Sequence, residues 1–454
     1  MCGIFAIFSS DENKNIGEEI VDGLKLLQHR GKDGYGVAYY TGEQFNVIKK
    51  EGKINMNGLS INSNCCVGHN RYSTSGYTID NGEIVEEELQ PLKGSVKSQV
   101  YYLVHNGNIP SAKGHDTSRL VELIDSLEDM NIEEILIFIV KTIPAAYCLI
   151  LLFQDKLYVV RDRFGIRPLC LGRYKHTYYV SSESYGLGDT PFLRDVLPGE
   201  VLKIDNDGIT SIFVHPKSQL SLCTFEILYF ANENSIIDGY RVKDIRKQLA
   251  IKLAKQEELT EKDYIVIGIP STGMLLGQSY ANVLGLDYRQ WITKNPNIDR
   301  TFILKTNKER KEACMKKFFY DRIQLKGKKV IIVDDTIVRG NVIGSIIENL
   351  RNIGVSEVHV RIPAPPVVER CILGISIQHK KELIATNRNV KEVSKKINAD
   401  SLSYLSLYDI SDMVPPKSYN LCFSGYVDKN IISCSNEDLQ KNGFNNKNGP
   451  SLFL

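Results

Sequence analysis

Short runs of apolar, β-branched and aromatic residues, each bounded by turn residues, dominate roughly the first 220 residues. Such runs are typical of strands, and they predict strands over 100–104, 147–153, 156–160 and 178–181. Apolar residues recur at three- and four-residue intervals over 17–28 and 117–142, which predicts amphipathic helices. A break at Asp129-Met130-Asn131 would divide the longer stretch into two helices. Many strands with a few helices indicate a layered α+β first half.

The pattern changes after Pro216. Residues 265–269 and 330–333 form short, continuous apolar runs, the pattern of strands buried on both faces. A helical pattern over 342–353 follows the second run, and 358–362 reads as a further strand. Alternation of strands and helices predicts an α/β second half with a parallel sheet.

Composition and charge narrow the class of protein. The chain has 454 residues, enough for two or three domains, with 56 Lys and Arg against 54 Asp and Glu and a net charge of +2. This balance argues against a nucleic-acid or membrane-surface binder. No apolar run approaches the ~18 residues of a membrane span, and the opening Met-Cys-Gly-Ile-Phe lacks the pattern of a signal peptide. Ten cysteines are too few for a disulfide scaffold, so we expect a cytoplasmic protein.

Cys2 stands where a nucleophile could carry its own base. Once the initiator Met1 is removed, the Cys2 thiolate can attack and its free α-amine, with an ordinary pKa of about 8, can act as general base. Taken alone, Cys2 is more typical of a residue that opens a buried strand. Whether Cys2 is interpreted as a nucleophile therefore depends on the polar motifs that follow it in the sequence.

Three later motifs supply groups that such a nucleophile needs. Arg71, in Gly68–Thr74, is a cation that can bind a carboxylate in bidentate geometry. Asn106 and Gly107, in His-Asn-Gly-Asn, offer an amide and a backbone N–H of the kind that forms an oxyanion hole. Asp116, in Gly-His-Asp-Thr, can accept hydrogen bonds from an ammonium group. Each is weak alone, since Asn-Gly is usually a turn and an arginine usually a surface charge.

Together with Leu27–Asp33, these motifs resemble the class II glutamine amidotransferase domain, an N-terminal-nucleophile hydrolase with an α+β sandwich. The order of the motifs matches as well, and the resemblance closes with Arg161–Leu169 and Pro198-Gly199-Glu200. It predicts a glutaminase domain over residues 2–222.

The resemblance also implies a reaction and a role for each residue. Cys2 would attack the side-chain amide of glutamine, giving a γ-glutamyl thioester, ammonia and finally glutamate. Asn106 and Gly107 match the oxyanion hole. Arg71 matches the clamp on the α-carboxylate, and Asp116 the partner of the α-amino group.

A second motif, Val330–Gly340, combines a buried strand, an acidic pair, a loop and the start of a helix near residue 341. The N–H groups of such a loop and helix end favour a phosphate. Asp334 and Asp335 could bind a ribose diol, or hold Mg²⁺ through water. A bare Asp-Asp strand end is more often simply solvated, but the complete string is much rarer.

This string resembles the phosphoribosylpyrophosphate (PRPP) signature of type I phosphoribosyltransferases, which have an α/β parallel-sheet fold. The resemblance assigns the ribose, and Mg²⁺ with PRPP, to Asp334 and Asp335. It assigns the 5′-phosphate to the loop of Thr336, Ile337, Val338, Arg339 and Gly340. The pyrophosphate loop would be Ser271, Thr272 and Gly273. Lys294, in a segment that looks like a mobile loop over 288–303, would approach the pyrophosphate.

Residues 223–231 resemble the junction between the two domains of the glutamine PRPP amidotransferase family. The match then spans 2–425, with a phosphoribosyltransferase domain over 223–425 and a loose C-terminal tail over 426–454. It implies that PRPP, glutamine and water give 5-phosphoribosylamine, glutamate and pyrophosphate, the first step of de novo purine biosynthesis. Ammonia would pass through an internal channel, with Mg²⁺ neutralising the departing pyrophosphate. Purine nucleotides as feedback inhibitors and a homo-oligomer are also implied.

The second half differs from the sequence pattern of that family at three places. Ser271 replaces an acidic residue, Asn341-Val342 replaces two hydroxyl residues, and Asn232-Glu233-Asn234 replaces Arg-Pro-Asp. They favour one alternative, a diverged paralogue that binds PRPP or nucleotide and regulates a partner with weak or no synthase activity. A sugar aminotransferase or asparagine synthetase would share the first domain, but the Asp334–Gly340 string argues against both.

The cysteines raise a question about a cofactor. Cys223, Cys371 and Cys422 fall at three of the four positions that hold a [4Fe–4S] cluster in some members of the family, and Tyr419 occupies the fourth. Cys434 could substitute from the tail; the alternative is that these are buried thiols without a cluster. The remaining cysteines read as core or surface positions: Cys65, Cys66, Cys148, Cys170 and Cys314.

Overall fold

Two antiparallel sheets organise the first half of the chain in the computed structural model. The structure describes residues 1–11, 14–72, 79–80, 83–84, 88–110, 115–295, 316–375, 377, 379–426 and 431. The seven-stranded sheet contains, in spatial order, Phe192–Asp195, Cys170–Tyr174, Thr177–Ser181, Gly3–Ser9, Cys65–Arg71, Gly34–Tyr40 and Phe45–Glu51. The six-stranded sheet contains Gly208–Val214, Glu200–Asp205, Lys156–Arg161, Ala146–Phe153, Gln99–Asn108 and Leu92–Val96. A separate two-stranded ladder pairs Ile79–Asp80 with Glu83–Ile84.

The two sheets pack face to face around one apolar core. Alternate residues of the first strand, Ile4, Ala6 and Phe8, share this core with Val104 and Ile150 of the other sheet. Because successive side chains of a strand point to opposite faces, the residues between them face the other way. The strand Gly3–Ser9 is nevertheless buried along its whole length, which requires a further layer on that second face.

Helices supply the outer layers. Gly17–Leu26 covers the seven-stranded sheet, and Gly23 is needed there because a Cβ would lie 2.4 Å from Cε1 of Phe5. Asp116–Ser126 and Ile132–Thr142 cover the six-stranded sheet. The predicted break between them is confirmed, since Asn131 forms a capping box at the start of the second helix. The first half is therefore a four-layer α-β-β-α arrangement.

The second half is built on a five-stranded parallel sheet, as the sequence predicts. Its strands, in spatial order, are Asp287–Tyr288, Tyr264–Gly268, Lys329–Val333, Glu357–Ile362 and Ser401–Tyr404. Two short antiparallel ribbons join Ile236–Ile237 to Tyr240–Arg241, and Ile292–Lys294 to Phe318–Tyr320. Apolar strands buried on both faces give this sheet its continuous core.

Helices flank the parallel sheet and occupy the connections between its strands. They are Val242–Lys255, Gly273–Leu284, Arg322–Leu325, Asn341–Ile353, Val390–Ile397, Leu407–Ile410 and Leu421–Ser424. Single helical turns occur at Ser184–Leu187, Glu226–Phe230 and Lys380–Glu382. Among the described residues, no helix combines the length and apolar character needed to cross a membrane.

Buried ion pairs join the two halves. Both terminal nitrogens of Arg161 donate to the carboxylate of Asp238, at 2.8 and 2.7 Å, and the Arg161 side chain is fully buried. A second group pairs Glu226 with Arg30 at 2.6 Å and with Arg167 at 3.4 Å. Since an unpaired buried charge is costly, these pairs favour one way of docking the second half on the first.

We expect Asp238→Asn to destabilise the chain by about 2–3 kcal/mol, because it leaves the buried Arg161 without a compensating charge. Asparagine retains the size of the side chain and tolerates the left-handed backbone at this position, where φ is +48°. The urea denaturation midpoint measures the effect. Asp22→Asn, which removes the exposed pair with Lys25, is the matched control and should change stability by at most about 0.5 kcal/mol. Equal shifts in the two variants would contradict the prediction.

Candidate functional site

Cys2 lies beside the strand Gln99–Asn108, at the start of the chain's first strand. Its backbone N–H donates to Oδ1 of Asn106 at 3.0 Å, and Nε of Arg30 donates to its carbonyl oxygen at 3.1 Å. The sulfur accepts from the N–H of Tyr72 at 3.5 Å. Contacts from three segments distant in sequence therefore position this residue.

Asn106 has a buried amide group with one unused donor. Its side chain is 0% exposed, and among the described residues Nδ2 has no hydrogen-bond partner although Oδ1 is engaged by Cys2. An unsatisfied buried donor costs about 1–3 kcal/mol. The next residue must be glycine, because a Cβ on Gly107 would lie 2.0 Å from the carbonyl oxygen of Ala146. The strand thus presents an amide donor and a closely packed peptide beside the thiol.

Arg71 and Asp116 also lie in the first half, and the charged side chains of both are largely buried. Arg71 ends the strand Cys65–Arg71, and its Nη2 donates to Glu88 at 2.5 Å. Its Nη1 is buried and has no partner in the part of the chain that the structure describes. Asp116 begins a helix and accepts from the backbone N–H of Ile109 at 3.3 Å. One cationic and one anionic group are therefore available for a zwitterionic ligand.

A hydrogen-bonded cluster behind Asp116 was not identified from the sequence. The backbone and side chain of Thr117 donate to Asp116 Oδ1 at 2.8 and 3.4 Å. Gln90 Nε2 donates to the Thr117 hydroxyl at 3.0 Å, and Nδ1 of His105 lies 3.1 Å from the same oxygen. Burial lowers the pKa of His105, which favours the neutral imidazole. His105 and Thr117 belong to the motifs that contain Asn106 and Asp116, whereas nothing in the sequence around Gln90 indicates a role in the site.

A second constellation lies at the carboxyl edge of the parallel sheet, where ligands commonly bind in α/β folds. Asp334 and Asp335 follow its central strand, Lys329–Val333. The hydroxyl of Thr336 donates to Asp335 Oδ1 at 2.8 Å, and that of Thr272 donates to Oδ2. Burial, reinforced by the charge of Asp335, raises the pKa of Asp334 well above its usual range. The acidic pair can therefore bind a cation or accept hydrogen bonds from hydroxyl groups.

The predicted phosphate loop joins this pair to the helix Asn341–Ile353. Gly340 sits in the left-handed region, with φ of +79°, and a Cβ there would lie 2.4 Å from Cδ1 of Ile384. Ile337 is buried, Val338 packs against the core, and Arg339 is paired with Glu382 at 2.7 Å. What the loop offers a ligand is therefore mainly its backbone N–H groups and the helix N-terminus.

The other predicted loop meets this one at the sheet edge. Ser271 and Thr272 precede the helix Gly273–Leu284. A Cβ on Gly273 would lie 2.5 Å from the carbonyl oxygen of Val333, so only glycine allows the close approach. The structure thus brings the two loops together.

Lys294 ends a short strand near the interface between the two halves. Lys294 is exposed, but partial desolvation lowers the pKa of its ammonium group and the charges of neighbouring lysines lower it further. These lysines are Lys32, Lys317 and Lys53. The arrangement concentrates positive charge from both halves, which suits an anionic ligand. Residues 300–303, also part of the predicted mobile loop, lie outside the described residues.

Aromatic residues lie between the two constellations. The rings of Tyr72, which touches the Cys2 sulfur, and Phe230 meet edge to face at 5.8 Å. The ring of the neighbouring Tyr229 meets that of Phe230 at 6.0 Å, and Tyr229 lies within electrostatic reach of Asp335 and Asp334. The sequence does not indicate these ring contacts, since residues 223–231 resemble only a junction between two domains.

The three cysteines flagged as cluster positions approach one another around Tyr419. Cys223 forms a backbone bridge with Tyr419, and burial, with the neighbouring Cys371, raises the pKa of the Cys223 thiol to about 11. Burial likewise raises the pKa of Cys422. The Tyr419 hydroxyl is buried and has no hydrogen-bond partner among the described residues.

This arrangement does not supply the four thiolates of a [4Fe–4S] site. A phenol stands at the fourth position, and Cys434 lies outside the described residues. In the part of the chain that the structure describes, no group of three or more His, Cys, Asp or Glu side chains is arranged to hold a metal ion. The acidic pair of the second half supplies only two carboxylates, which is compatible with Mg²⁺ bound largely through substrate phosphates and water.

Comparisons with known proteins give a consistent match. Residues 239–364 match the family model described as a phosphoribosyl transferase domain. The chain is 33% identical to the amidophosphoribosyltransferase of Methanocaldococcus jannaschii, over 94% of this chain and 97% of that protein. It is 32% identical to that of Bacillus subtilis, over 89% and 88%. The solved glutamine PRPP amidotransferase of B. subtilis, complexed with ADP and GMP, superposes with a TM-score of 0.78 at 29% identity, covering 94% of this chain and 97% of that one.

We expect Asp334→Asn to raise the melting temperature of the ligand-free chain at pH 8 by about 2–4 °C, the shift that about 1 kcal/mol produces in a domain of this size. The folded pKa of Asp334 is raised, so its contribution to stability is greatest below the unfolded value of about 4 and decreases as pH rises through the folded pKa. The gain should therefore shrink at pH 5. Melting curves at both pH values test this, with the exposed Asp412→Asn as control. A variant that melts below the unmodified chain at pH 8 would contradict it.

Proposed function

Because the chain belongs to the amidophosphoribosyltransferase family, we propose that its two halves divide one reaction between them. The chain is a glutamine-dependent pentosyltransferase of purine biosynthesis, which makes 5-phosphoribosylamine, glutamate and pyrophosphate from PRPP, glutamine and water. In our proposal residues 2–222 form the glutaminase domain and residues 223–425 the phosphoribosyltransferase domain. Residues 426–454 remain a predicted tail, of which the structure describes Tyr426 and Ile431.

The first domain is proposed to be an N-terminal-nucleophile hydrolase. Its four-layer arrangement, with Cys2 at the head of a central strand, supports this. With Met1 in place the nitrogen of Cys2 is an amide, and burial lowers the pKa of the Met1 amine to about 4. Removal of Met1 converts the nitrogen of Cys2 into an amine that can serve as base.

The glutaminase steps follow from the groups around Cys2. Its amine takes the thiol proton, and the thiolate attacks the amide carbon of glutamine. Nδ2–H of Asn106 and the N–H of Gly107 then stabilise the oxyanion. The C–N bond breaks, ammonia leaves with the proton held by the Cys2 ammonium, and a γ-glutamyl thioester remains. Water hydrolyses the thioester, releasing glutamate and restoring the thiol. The unused donor of buried Asn106 is the observation that carries this assignment.

Two charged residues are proposed to orient the glutamine. The unpartnered Nη1 of Arg71 would bind the α-carboxylate, and Asp116 the α-ammonium group. The hydrogen bonds from Thr117 hold the carboxylate of Asp116 in one orientation, which reduces the entropy lost when glutamine binds.

The acidic pair and the loops of the second domain are proposed to bind PRPP. Asp334 and Asp335 would bind the ribose hydroxyls, and the loop 336–340 the 5′-phosphate. The loop 271–273 and Lys294 would bind the pyrophosphate. Mg²⁺, held by the acidic pair and the substrate, would neutralise charge on the departing pyrophosphate. The raised pKa of Asp334 supports this, since a nearby cation relieves the cost of ionising a buried carboxyl.

The aromatic path through Tyr72, Phe230 and Tyr229 is a proposed route for ammonia between the domains. Purine nucleotides as inhibitors, a homo-oligomer and a cytoplasmic location remain predictions; the B. subtilis structure is a complex with ADP and GMP. The comparisons give the regulatory alternative no support, since relatives from archaea, bacteria, plants and insects all carry the enzyme's name.

We expect Cys2→Ala to lower glutamine-dependent formation of phosphoribosylamine by at least about 1000-fold, because the nucleophile is lost. Synthesis from added ammonia should be unchanged, since that reaction needs only the second domain. A coupled assay with glutamine or ammonia in parallel measures both. Cys170→Ala, a buried cysteine elsewhere in the first half, should retain both activities. An unmodified chain that makes phosphoribosylamine from neither source would overturn the proposed function.

We also expect Tyr419→Cys to acquire a [4Fe–4S] cluster, because the substitution completes a four-cysteine set with Cys223, Cys371 and Cys422. After anaerobic reconstitution the variant should hold about four iron atoms per chain and absorb visible light, whereas the unmodified chain should hold little iron. Tyr404→Cys, at a half-buried tyrosine elsewhere in the same half, is the control. Stoichiometric iron in the unmodified chain would show that a phenol or another group serves as the fourth ligand.

A further inference from the structure

A loop of the second half, Cys371–Ile375, lies directly against the strand that carries Asn106 and Gly107. The side-chain Nδ2 of Asn108 donates to the carbonyl oxygen of Ile372 at 2.8 Å. An ideal Cβ on Gly374 would lie only 2.9 Å from the carbonyl oxygen of Gly107 and 3.0 Å from its carbonyl carbon. These contacts join segments more than 260 residues apart.

The loop is held in shape from within. The sulfur of Cys371 accepts from the N–H groups of Leu373 and Ile375, both at 3.4 Å. Gly374 has φ of +103°, a backbone conformation that residues other than glycine rarely adopt. Arg167, fully buried in the first half, donates through Nη2 to the carbonyl oxygen of Leu373. The loop is therefore both shaped locally and anchored to the first half.

Gly107 is enclosed on two sides, by the neighbouring strand and by this loop. On one side the backbone of Ala146 comes so close that a Cβ on Gly107 would lie 2.0 Å from its carbonyl oxygen. On the other side Gly374 packs against the Gly107 carbonyl. Since the peptides before and after Gly107 share its Cα, moving the carbonyl also tilts the neighbouring N–H. A catalytic donor must be held within about 0.5 Å of its productive position to be effective.

We propose that this loop positions the oxyanion hole of the glutaminase, with Gly374 and Asn108 as its positioning residues. The proposal rests on the proposed function, because it assigns a role to the N–H of Gly107 in glutamine hydrolysis. It makes the rate of ammonia production in the first half depend on a backbone segment of the second. The oxyanion forms only as the reaction approaches its transition state. Misplacing its donor should therefore lower kcat and leave glutamine binding unchanged.

The test is Gly374→Ala in the full chain, assayed with glutamine and, separately, with ammonia. We expect the glutamine-dependent kcat to fall about 10- to 100-fold, less than the loss of an oxyanion donor causes, with KM for glutamine within about twofold. Ammonia-dependent synthesis should be unchanged. Gly354→Ala is the matched control: its φ is +95°, and a Cβ there would meet only Cγ of Lys326, at 3.7 Å. That variant should lower neither kcat.

Asn108→Ala is a second variant that places no new atom in the loop. Loss of its bond to Ile372 should lower the glutamine-dependent kcat about 3- to 10-fold, again with KM and the ammonia reaction unchanged. If Gly374→Ala lost both activities together, Asn108→Ala would decide, because a loss confined to glutamine supports the proposal.

Other outcomes contradict the proposal in recognisable ways. An unchanged kcat, or a change in KM alone, in both variants would overturn the positioning role while leaving the proposed function intact. An unmodified chain that uses ammonia but not glutamine would instead remove the glutaminase assignment itself.

Discussion

The need to pair buried charge at the junction of the two halves governs much of this structure. Arg30 and Arg167 come from the first half and are fully buried, and the carboxylate that lies between them, Glu226, comes from the second. Arg30 also donates to the carbonyl oxygen of Cys2 at 3.1 Å. Arg30 is also paired with Glu183 of its own half at 3.2 Å, whereas Arg167 is paired with Glu226 and depends on the other half for its charge balance. Either half alone would leave an unpaired charge where the surface is now closed.

This constraint also determines what lies between the two constellations. Glu226 begins the helical turn Glu226–Phe230, so the ion pairs that fix Glu226 also fix the aromatic residues after it. Phe230 lies against Tyr72, and Arg30 stacks over the Phe230 ring at 5.4 Å. Electrostatics and aromatic packing therefore act at the same place, and a change in one is transmitted to the other.

The sequence predicted the helices and strands well, for physical reasons. Periodicity reports which face of an element is buried, so the strands around Gln99–Asn108 and Lys329–Val333 were found to within a few residues. The capping signal at Asn131 is equally local. Contacts between residues distant in the sequence could not be predicted in this way. Nothing near Gln90 or Gly374 in the sequence indicates the residues that they contact, because those contacts form only when the chain has packed. For the cysteines the sequence indicated Tyr419 as the fourth residue of the set but could not show that its hydroxyl lacks a partner among the described residues.

The position of Met1 bears on when the chain can mature. Met1 is 1% exposed and belongs to the same buried cluster as Leu222 and Phe225, which are synthesised some 220 residues later. A peptidase needs the terminal amine in an extended, accessible segment, so it must act before those later residues close over the site. Excision therefore competes with folding during synthesis. A chain that folds with Met1 in place keeps an amide instead of an amine at the nitrogen of Cys2, and so lacks the proposed general base.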